Sequence, residues 1–370
     1  MKVLHLTSDF LFTPLYQELL SKIECNDVQN IIYSPVAYKT VYEKFPSNII
    51  ISECFHKYDA FIYFMKQKKI IRDVHRKIDI RQFNLLHAHF LFSNGFTAML
   101  IKQRYNIPYI VAVRNTDVNV FFRYMIHLRG TGIEVLRNAE KIVFLSASYR
   151  DQLLSNYVPR RYRDEILNKS EIIPNGIDAF WFANINTPRT LPDSKKVKII
   201  VAGRIEKNKN HLTTLAACKI LVDRGYDVQF VVVGHSLDNA LKSKLIREKI
   251  TQYIPNQPKE ELMNLYRDND IFVMPSVNET FGLVYAEAMS QGLPIIFTRG
   301  QGFDQQFGEG QVGYSVNCFD SQEISEKIIK IIEDYEPMSK RCVSLVNNFD
   351  WNKIARVYIR IYREMTVSSN

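Results

Sequence analysis

The sequence has no apolar run near the ~20 residues needed to cross a bilayer, so a helical membrane span is excluded. Its five cysteines, Cys25, Cys54, Cys218, Cys318 and Cys342, are scattered and never form a C-x-x-C pair. Neither a disulfide framework nor a zinc cluster fits that spacing, and reduced, buried thiols are expected. There are no internal repeats, no low-complexity segment and no coiled-coil heptads. The opening Met1-Lys2-Val3-Leu4-His5-Leu6 reads as a first β-strand, with no small-residue cleavage site after it, so a cytoplasmic protein is expected. No nucleic-acid module is present and the basic residues are not arrayed around aromatic platforms, so no nucleic-acid partner is expected.

What the chain does have is an ordinary globular balance, 46% hydrophobic and 24% charged, with disorder expected only near Thr366–Asn370. Its 370 residues suit two domains of middling size. Residues 1–178 carry 24 Lys+Arg against 17 Asp+Glu, a net of +7, and the remainder 24 against 22, a net of +2. The basic first half suits nucleic acid, an anionic lipid or a phosphorylated substrate, and charge alone does not choose among them.

Short apolar runs alternate with helical periodicity. Strands are expected at Val3–Leu6, Ile31–Tyr33, Leu85–Ala88, Tyr109–Val113 and Lys141–Leu145, then at Lys198–Ala202, Gln229–Val233, Ile271–Met274 and Pro294–Phe297. Helices such as Leu212–Arg224 and Lys259–Asp268 fall between them. That grammar predicts an α/β protein of two doubly wound, Rossmann-like domains with parallel sheets. Pro174-Asn175-Gly176-Ile177-Asp178 forces a turn, and residues 179–196, with Pro188 and Pro192, read as a linker. The expected divisions are a first domain at 1–178, a second at 179–349 and a C-terminal helix at 350–370. That helix carries Trp351, Tyr358 and Tyr362 on one face.

The chemistry-bearing residues gather in the second half. Ile199-Ile200-Val201-Ala202-Gly203-Arg204 ends a strand, and Lys209 follows five residues on. Arg204 and Lys209 are placed to reach the crevice at the sheet's C-terminal edge, where a forked guanidinium and a point-charge ammonium suit a diphosphate. A solvated basic loop is the plainer reading of the same residues. Next, Ile271–Met274 runs into Pro275-Ser276-Val277-Asn278-Glu279-Thr280-Phe281-Gly282-Leu283, and a helix is expected from Phe281 to Ser290, capped at Gly292. Gly282 at the helix start would expose backbone N–H groups to an anion. Glu279 lies before the helix and Glu287 about two turns along it. One carboxylate suits sugar hydroxyls and the other a ribose diol; plainly read, they are an acidic helix start and a solvent-facing residue.

Residues 198–316 resemble the C-terminal domain of the retaining glycosyltransferase family 4, the group 1 glycosyl transferases of the GT-B fold. The resemblance rests on G-R-x-x-x-x-K (Gly203, Arg204, Lys209), on P-S-x-x-E-x-F-G-L-x-x-x-E-A-M-x-x-G-L-P from Pro275 to Pro294, and on Gly302 and Gly313. Pro174 to Asp178 matches the interdomain signature. By resemblance, the two domains face across a cleft. Glu279 touches the donor sugar and Glu287 the ribose. Arg204 and Lys209 hold the diphosphate, with Gly203, Ser276, Phe281, Gly282, Leu283 and Gly302 completing the donor site. The resemblance further implies retention of configuration, no metal or other cofactor, and a final helix that crosses back to the N-terminal domain. Asn210 and Gln305 depart from the family's usual glycine and glutamate, which bears on the sugar recognised.

In the first half, Phe83-Asn84-Leu85-Leu86-His87-Ala88-His89-Phe90 resembles the family's strand that delivers His-Ala-His to the cleft. On a strand, His87 and His89 share a face and form a possible metal pair, but no third ligand is evident in the sequence. Ile107 to Asp117 resembles the strand that leads to His-Gly-x-Asp. Arg114 replaces the histidine, with Asn115 beside it, and Asp117 is retained. Arg114 does not deprotonate, so it is expected to stabilise the leaving phosphate or an anionic acceptor rather than act as a base. Thr7-Ser8-Asp9-Phe10 lacks the family's glycine-rich loop. Asp268-Asn269-Asp270 imitates a D-x-D metal motif but reads as a helix end and strand start.

The segment Phe61 to Lys77 reads equally as a basic amphipathic helix on an anionic membrane and as a core-facing helix with a solvated basic face. The expected function is retaining transfer of a sugar from a UDP- or GDP-sugar to a glycan or lipid-linked glycan, in bacterial surface polysaccharide synthesis. The expected location is the cytoplasm, at the inner face of the cell membrane if the lipid reading holds. A nucleotide-sugar epimerase and a catalytically lapsed nucleotide-binding scaffold are the rivals; the base is expected near Tyr253–Pro258.

Overall fold

The computed structural model describes residues 1–24, 28–43, 45–191 and 193–367, which leaves Cys25 and the last three residues of the expected disordered tail outside the description. The described cysteines are all free and buried. The chain forms two compact units, one of Met1–Leu145, Tyr149–Asn175 and the segment from Trp351, the other of Ser146–Ser148 and Gly176–Asp350.

Unit 1 holds strands β1 (Lys2–Leu6), β2 (Gln29–Ala37), β3 (Ile49–Phe55), β4 (Leu85–Ala88), β5 (Tyr109–Val113), β6 (Lys141–Phe144) and β7 (Ser170–Ile172). They pair in parallel in the order β3-β2-β1-β4-β5-β6-β7. β4 and β5 are buried along their whole length, which is why their sequences are apolar apart from His87 rather than alternating. One sheet face packs into a cluster with helix Leu15–Glu24 and the C-terminal helix Trp351–Val367. Trp351, Ile354, Tyr358, Ile359 and Tyr362 recur at helical spacing and bury against Leu19, Leu20 and Ile23.

Unit 2 holds β8 (Lys196–Ala202), β9 (Asp227–Val233), β10 (Thr251–Ile254), β11 (Ile271–Val273), β12 (Ile295–Thr298) and β13 (Gly313–Val316), again parallel, in the order β10-β9-β8-β11-β12-β13. In both sheets the strand order reverses direction, between β1 and β4 and between β8 and β11. Open α/β sheets bind ligands beside such a reversal, at the strands' C-terminal ends.

Two sequence expectations are corrected. Residues 179–196 are not a plain linker: Ala179–Ala183 is helical with Trp181 buried, and the Arg189 amide donates to Ser339 Oγ at 2.9 Å. The helix expected from Phe281 begins at Leu283, because Gly282 sits in the left-handed region at φ 77°. In helix Tyr63–Lys77 the apolar residues Ile70 and Val74 face the core, as the second of its two sequence readings expects.

Candidate functional site

The donor-side residues assemble at the β8/β11 reversal. β8 ends at Ala202 and the chain passes Gly203 and Arg204 into a single helical turn, Lys207–Lys209. β11 leads into the loop Met274–Gly282. Asn208 fastens the two loops together. Its carbonyl accepts from the Val277 amide at 2.8 Å, its Oδ1 from the Asn278 amide at 3.0 Å, and its Nδ2 donates to the Asn278 carbonyl at 2.9 Å. This clamp brings Lys209 Nζ to 2.6 Å from Glu279 Oε2, both side chains being largely buried. Ser276, itself buried, donates to the same oxygen at 3.3 Å.

A second clamp holds Glu279 from the other side. Its amide donates to Gln301 Oε1 and its carbonyl accepts from the Gly302 amide, each at 2.9 Å. A Cβ on Gly302 would lie 1.7 Å from the Thr280 carbonyl oxygen, so only glycine fits that crossing. Gly282 is constrained as tightly: besides its positive φ, an added Cβ would meet the Tyr285 ring at 2.4 Å. No side chain caps the helix Leu283–Ser290, which leaves the amides of its first turn to other acceptors.

Glu287 lies one turn into that helix. The residue is half-buried, and burial of its carboxyl pushes the pKa up to about 7, against a smaller opposing pull from Lys259. Lys259 is held by an ion pair to Asp178. The carboxyl is therefore poorly hydrated.

Two donor-side expectations change. Arg204 does not converge with Lys209; its side chain is 65% exposed and pairs with Glu206 at 3.3 Å. Phe281 is 2% exposed and packs between Phe303 and Phe349, with centroids at 5.8 and 5.5 Å. Its ring is core. Asn208 and Gln301 were missed by the sequence reading, since lone loop amides carry no periodic signal.

At the β1/β4 reversal of unit 1, Asp117 is buried and accepts three backbone N–H groups. These are Arg114 at 2.8 Å, and Leu91 and Phe92 at 3.1 Å each. Burial pushes its pKa up to about 6 although all three N–H donors favour the anion. With both oxygens engaged by the backbone, Asp117 organises the turns after β4 and β5. Arg114 is also buried, its Nε donating to the His89 carbonyl and its guanidinium to Asn175 Oδ1, both at 3.3 Å. Asn115 is half-buried and accepts from Asn119.

His87 and His89 are wholly buried, so neither ring meets a dissolved acceptor in this conformation. They stack with centroids 4.0 Å apart. The third histidine that the sequence did not reveal is His5 on β1, registered beside His87. Asn30 donates through Nδ2 to the Leu20 carbonyl, which points its Oδ1 at His5 Nε2, 2.9 Å away. His5 Nε2–H is then the donor, and its bare Nδ1 accepts from His89 Nε2–H at 3.1 Å. Both His5 nitrogens are thereby engaged in hydrogen bonds, while His87 Nδ1 meets the Tyr362 hydroxyl at 2.6 Å. A metal would have to break that chain to take all three rings. Asp268–Asp270 is likewise structural: Asp270 accepts from the Lys198 amide at 2.8 Å and pairs with Arg189.

These histidines give a pH prediction. Burial lowers the pKa of His5 and of His211 to about 4, and those of His87 and His89 well below 6.5. The unfolded chain takes up protons near pH 6.5 while the folded chain does not. The stability these histidines contribute is therefore complete above about pH 7 and lost as pH falls from 6.5 toward 4, by up to about 1.4 kcal/mol per pH unit per group, which outweighs the opposite effect of the two raised carboxyls, Glu287 and Asp117. Urea midpoints measured from pH 7.5 to 5 should fall steadily, and His5→Asn should flatten the slope.

The comparisons agree with this architecture. The family described as Glycosyl transferases group 1 matches residues 184–348, and that described as Glycosyltransferase Family 4 matches residues 40–179. The chain belongs to this family of GT-B glycosyltransferases. The D-inositol 3-phosphate glycosyltransferase of Corynebacterium urealyticum is 24% identical over 305 residues, covering 76% of this chain and 72% of the relative. Among solved structures, sucrose-phosphate synthase from Thermosynechococcus elongatus superposes with a TM-score of 0.72 at 16% identity, covering 100% of both chains. Anabaena HepE in complex with UDP-glucose superposes with a TM-score of 0.65 at 16% identity, again covering 100% of both.

Proposed function

We propose that this glycosyltransferase moves a sugar, with retention of configuration, from a UDP- or GDP-sugar to a glycan or lipid-linked glycan, in the synthesis of a bacterial surface polysaccharide. The observation that carries the donor half is the Lys209–Glu279 pair at 2.6 Å, set before the uncapped start of helix Leu283–Ser290. A diphosphate competing for Lys209 would release Glu279 to accept hydrogen bonds from sugar hydroxyls. The amides of the helix's first turn meet the remaining phosphate oxygens, and the helix dipole favours their charge. Stabilising the departing diphosphate lowers the barrier to C–O cleavage. The acceptor hydroxyl then attacks from the face the diphosphate leaves, and its proton passes to the leaving phosphate oxygen. Lys209, the helix start and the solvent-facing Arg204 supply the positive field, so no metal is assigned. A bound UDP-glucose in the similarly folded Anabaena HepE supports a nucleotide-sugar donor.

Incubation with a panel of UDP- and GDP-sugars tests the reading. Slow release of free sugar with UDP or GDP is expected from one donor. An isomerised donor would establish an epimerase, and binding with no turnover in the presence of candidate acceptors a lapsed scaffold.

Glu287 adds a pH signature to donor binding. If its carboxylate receives the ribose diol, affinity rises with pH through about 7 as the group ionises. A nucleotide sugar carries no group titrating there, so Kd should weaken roughly tenfold from pH 8 to pH 6. Glu287→Gln should bind less tightly and with no such dependence; a wild-type Kd that does not vary with pH removes the ribose role.

A further inference from the structure

Large exposed apolar side chains are concentrated on one rim of unit 1. β1, β2 and β3 are adjacent and parallel, so the loops leaving their C-terminal ends share one edge. Phe12 follows β1, Val41 follows β2, and Tyr58, Ile62, Phe64 and Met65 follow β3, all of them exposed, with Val41 at 97% and Phe12 at 70%. The turn after β5, on the same edge, adds Tyr124 and Ile126. Burying any of these would be favourable, and isolated surface apolar residues do not gather in this way.

The charge beside them has one sign. Residues 57–77 contain seven Lys+Arg and two Asp+Glu. Both acids, Asp59 and Asp73, are buried and neutralised within the unit, by Lys69 at 2.6 Å and Arg76 at 2.5 Å. Lys57, Lys68 and Arg72 stand exposed. Between the helix and the edge strand β3, Lys69, Arg72 and Arg76 line a cavity of about 250 Å³ together with Tyr38, Cys54 and Asp73.

We infer that this rim docks on an anionic lipid bilayer. The first turn of helix Tyr63–Lys77 and the loops after β1 and β2 dip into the interface, while Lys68 and Arg72 meet lipid phosphates. The apolar groups project from separate loops, those after β3 and β5 beside Lys57, Lys66 and Arg123, and define no groove. A fluid interface receives such a set without a fixed complementary shape, and apolar insertion combined with basic residues supplies the two signals that stable peripheral binding needs. The inference goes beyond the transfer reading and does not depend on its donor chemistry.

Co-sedimentation with phosphatidylcholine vesicles, with and without phosphatidylglycerol, tests it. Wild type should bind the phosphatidylglycerol vesicles at low salt and release at high salt. Lys68→Glu with Arg72→Glu should weaken binding on the order of tenfold or more, and Phe64→Ser with Met65→Ser should weaken it as well. Native Trp181 and Trp351 are buried, so in Phe64→Trp the new ring is the exposed reporter, and its emission should shift blue on phosphatidylglycerol vesicles. Absent vesicle binding, binding unchanged in both double variants, or unshifted emission overturns the proposal. So does charge-dependent binding of a soluble acidic oligosaccharide in place of vesicles, which would make the rim a glycan surface. UDP-glucose binding by the same variants, measured separately, distinguishes failure of this surface from failure of the transfer reading.

Discussion

Lys209→Ala is expected to lower kcat for transfer by roughly a hundredfold to a thousandfold, the usual loss when one preorganised partner of a developing anion is removed. Two things are lost together. The ammonium no longer opposes the charge building on the diphosphate, and Glu279, held 2.6 Å away in a largely buried position, loses its counter-charge. Arg204→Ala is expected to cost far less, because that side chain is mostly in solvent and its partner Glu206 is partly hydrated. The contrast between the two variants is the measurement. Steady-state kinetics in which Lys209→Ala keeps more than a tenth of wild-type turnover would remove Lys209 from the chemistry, and equal losses at both positions would mean that Arg204 swings inward on binding. Lys209→Arg keeps charge but not the point geometry and should recover only part of the loss.

Asp117→Ala should be the most destabilising single change, by about 3–5 kcal/mol, since three buried backbone N–H groups would lose their acceptor at once. Asp117→Asn keeps one acceptor oxygen and turns an amide donor toward the same N–H groups, so it should recover only part. Urea denaturation reads the effect. A midpoint shift worth under 1 kcal/mol for Asp117→Ala would show that the turns after β4 and β5 hold without this residue. Loss of activity with unchanged stability would return Asp117 to a role in the chemistry.

Every interior strand was legible in the sequence, because strands buried on both faces are largely apolar. The sheet edges were not. β3, β7, β10 and β13 are missing from the expected strands, and these four are the edge strands of the two sheets. Their sequences carry Ser52 and Glu53, Gln252, Ser315, and Ser170 and Glu171, as one-sided pairing permits. At the donor side, sequence spacing correctly paired Lys209 with the Glu279 loop, but it could not show that Arg204 turns outward. A five-residue separation across a loop does not fix side-chain direction. The His5–His87–His89 trio was hidden for a related reason: its members come from two strands 82 positions apart that become neighbours only through the β1/β4 register.

The return of helix Trp351–Val367 to unit 1 has a consequence for biosynthesis. On the ribosome, the first half of the chain emerges with Leu19, Leu20, Ile23 and the face of the sheet beneath them wet, because the helix that covers them is made only after unit 2. The nascent sheet must wait, partly open, while unit 2 is synthesised, and it is during that interval that its apolar face is open to chaperones or to other nascent chains. A chain released before Trp351 would be a sticky fragment rather than a smaller enzyme.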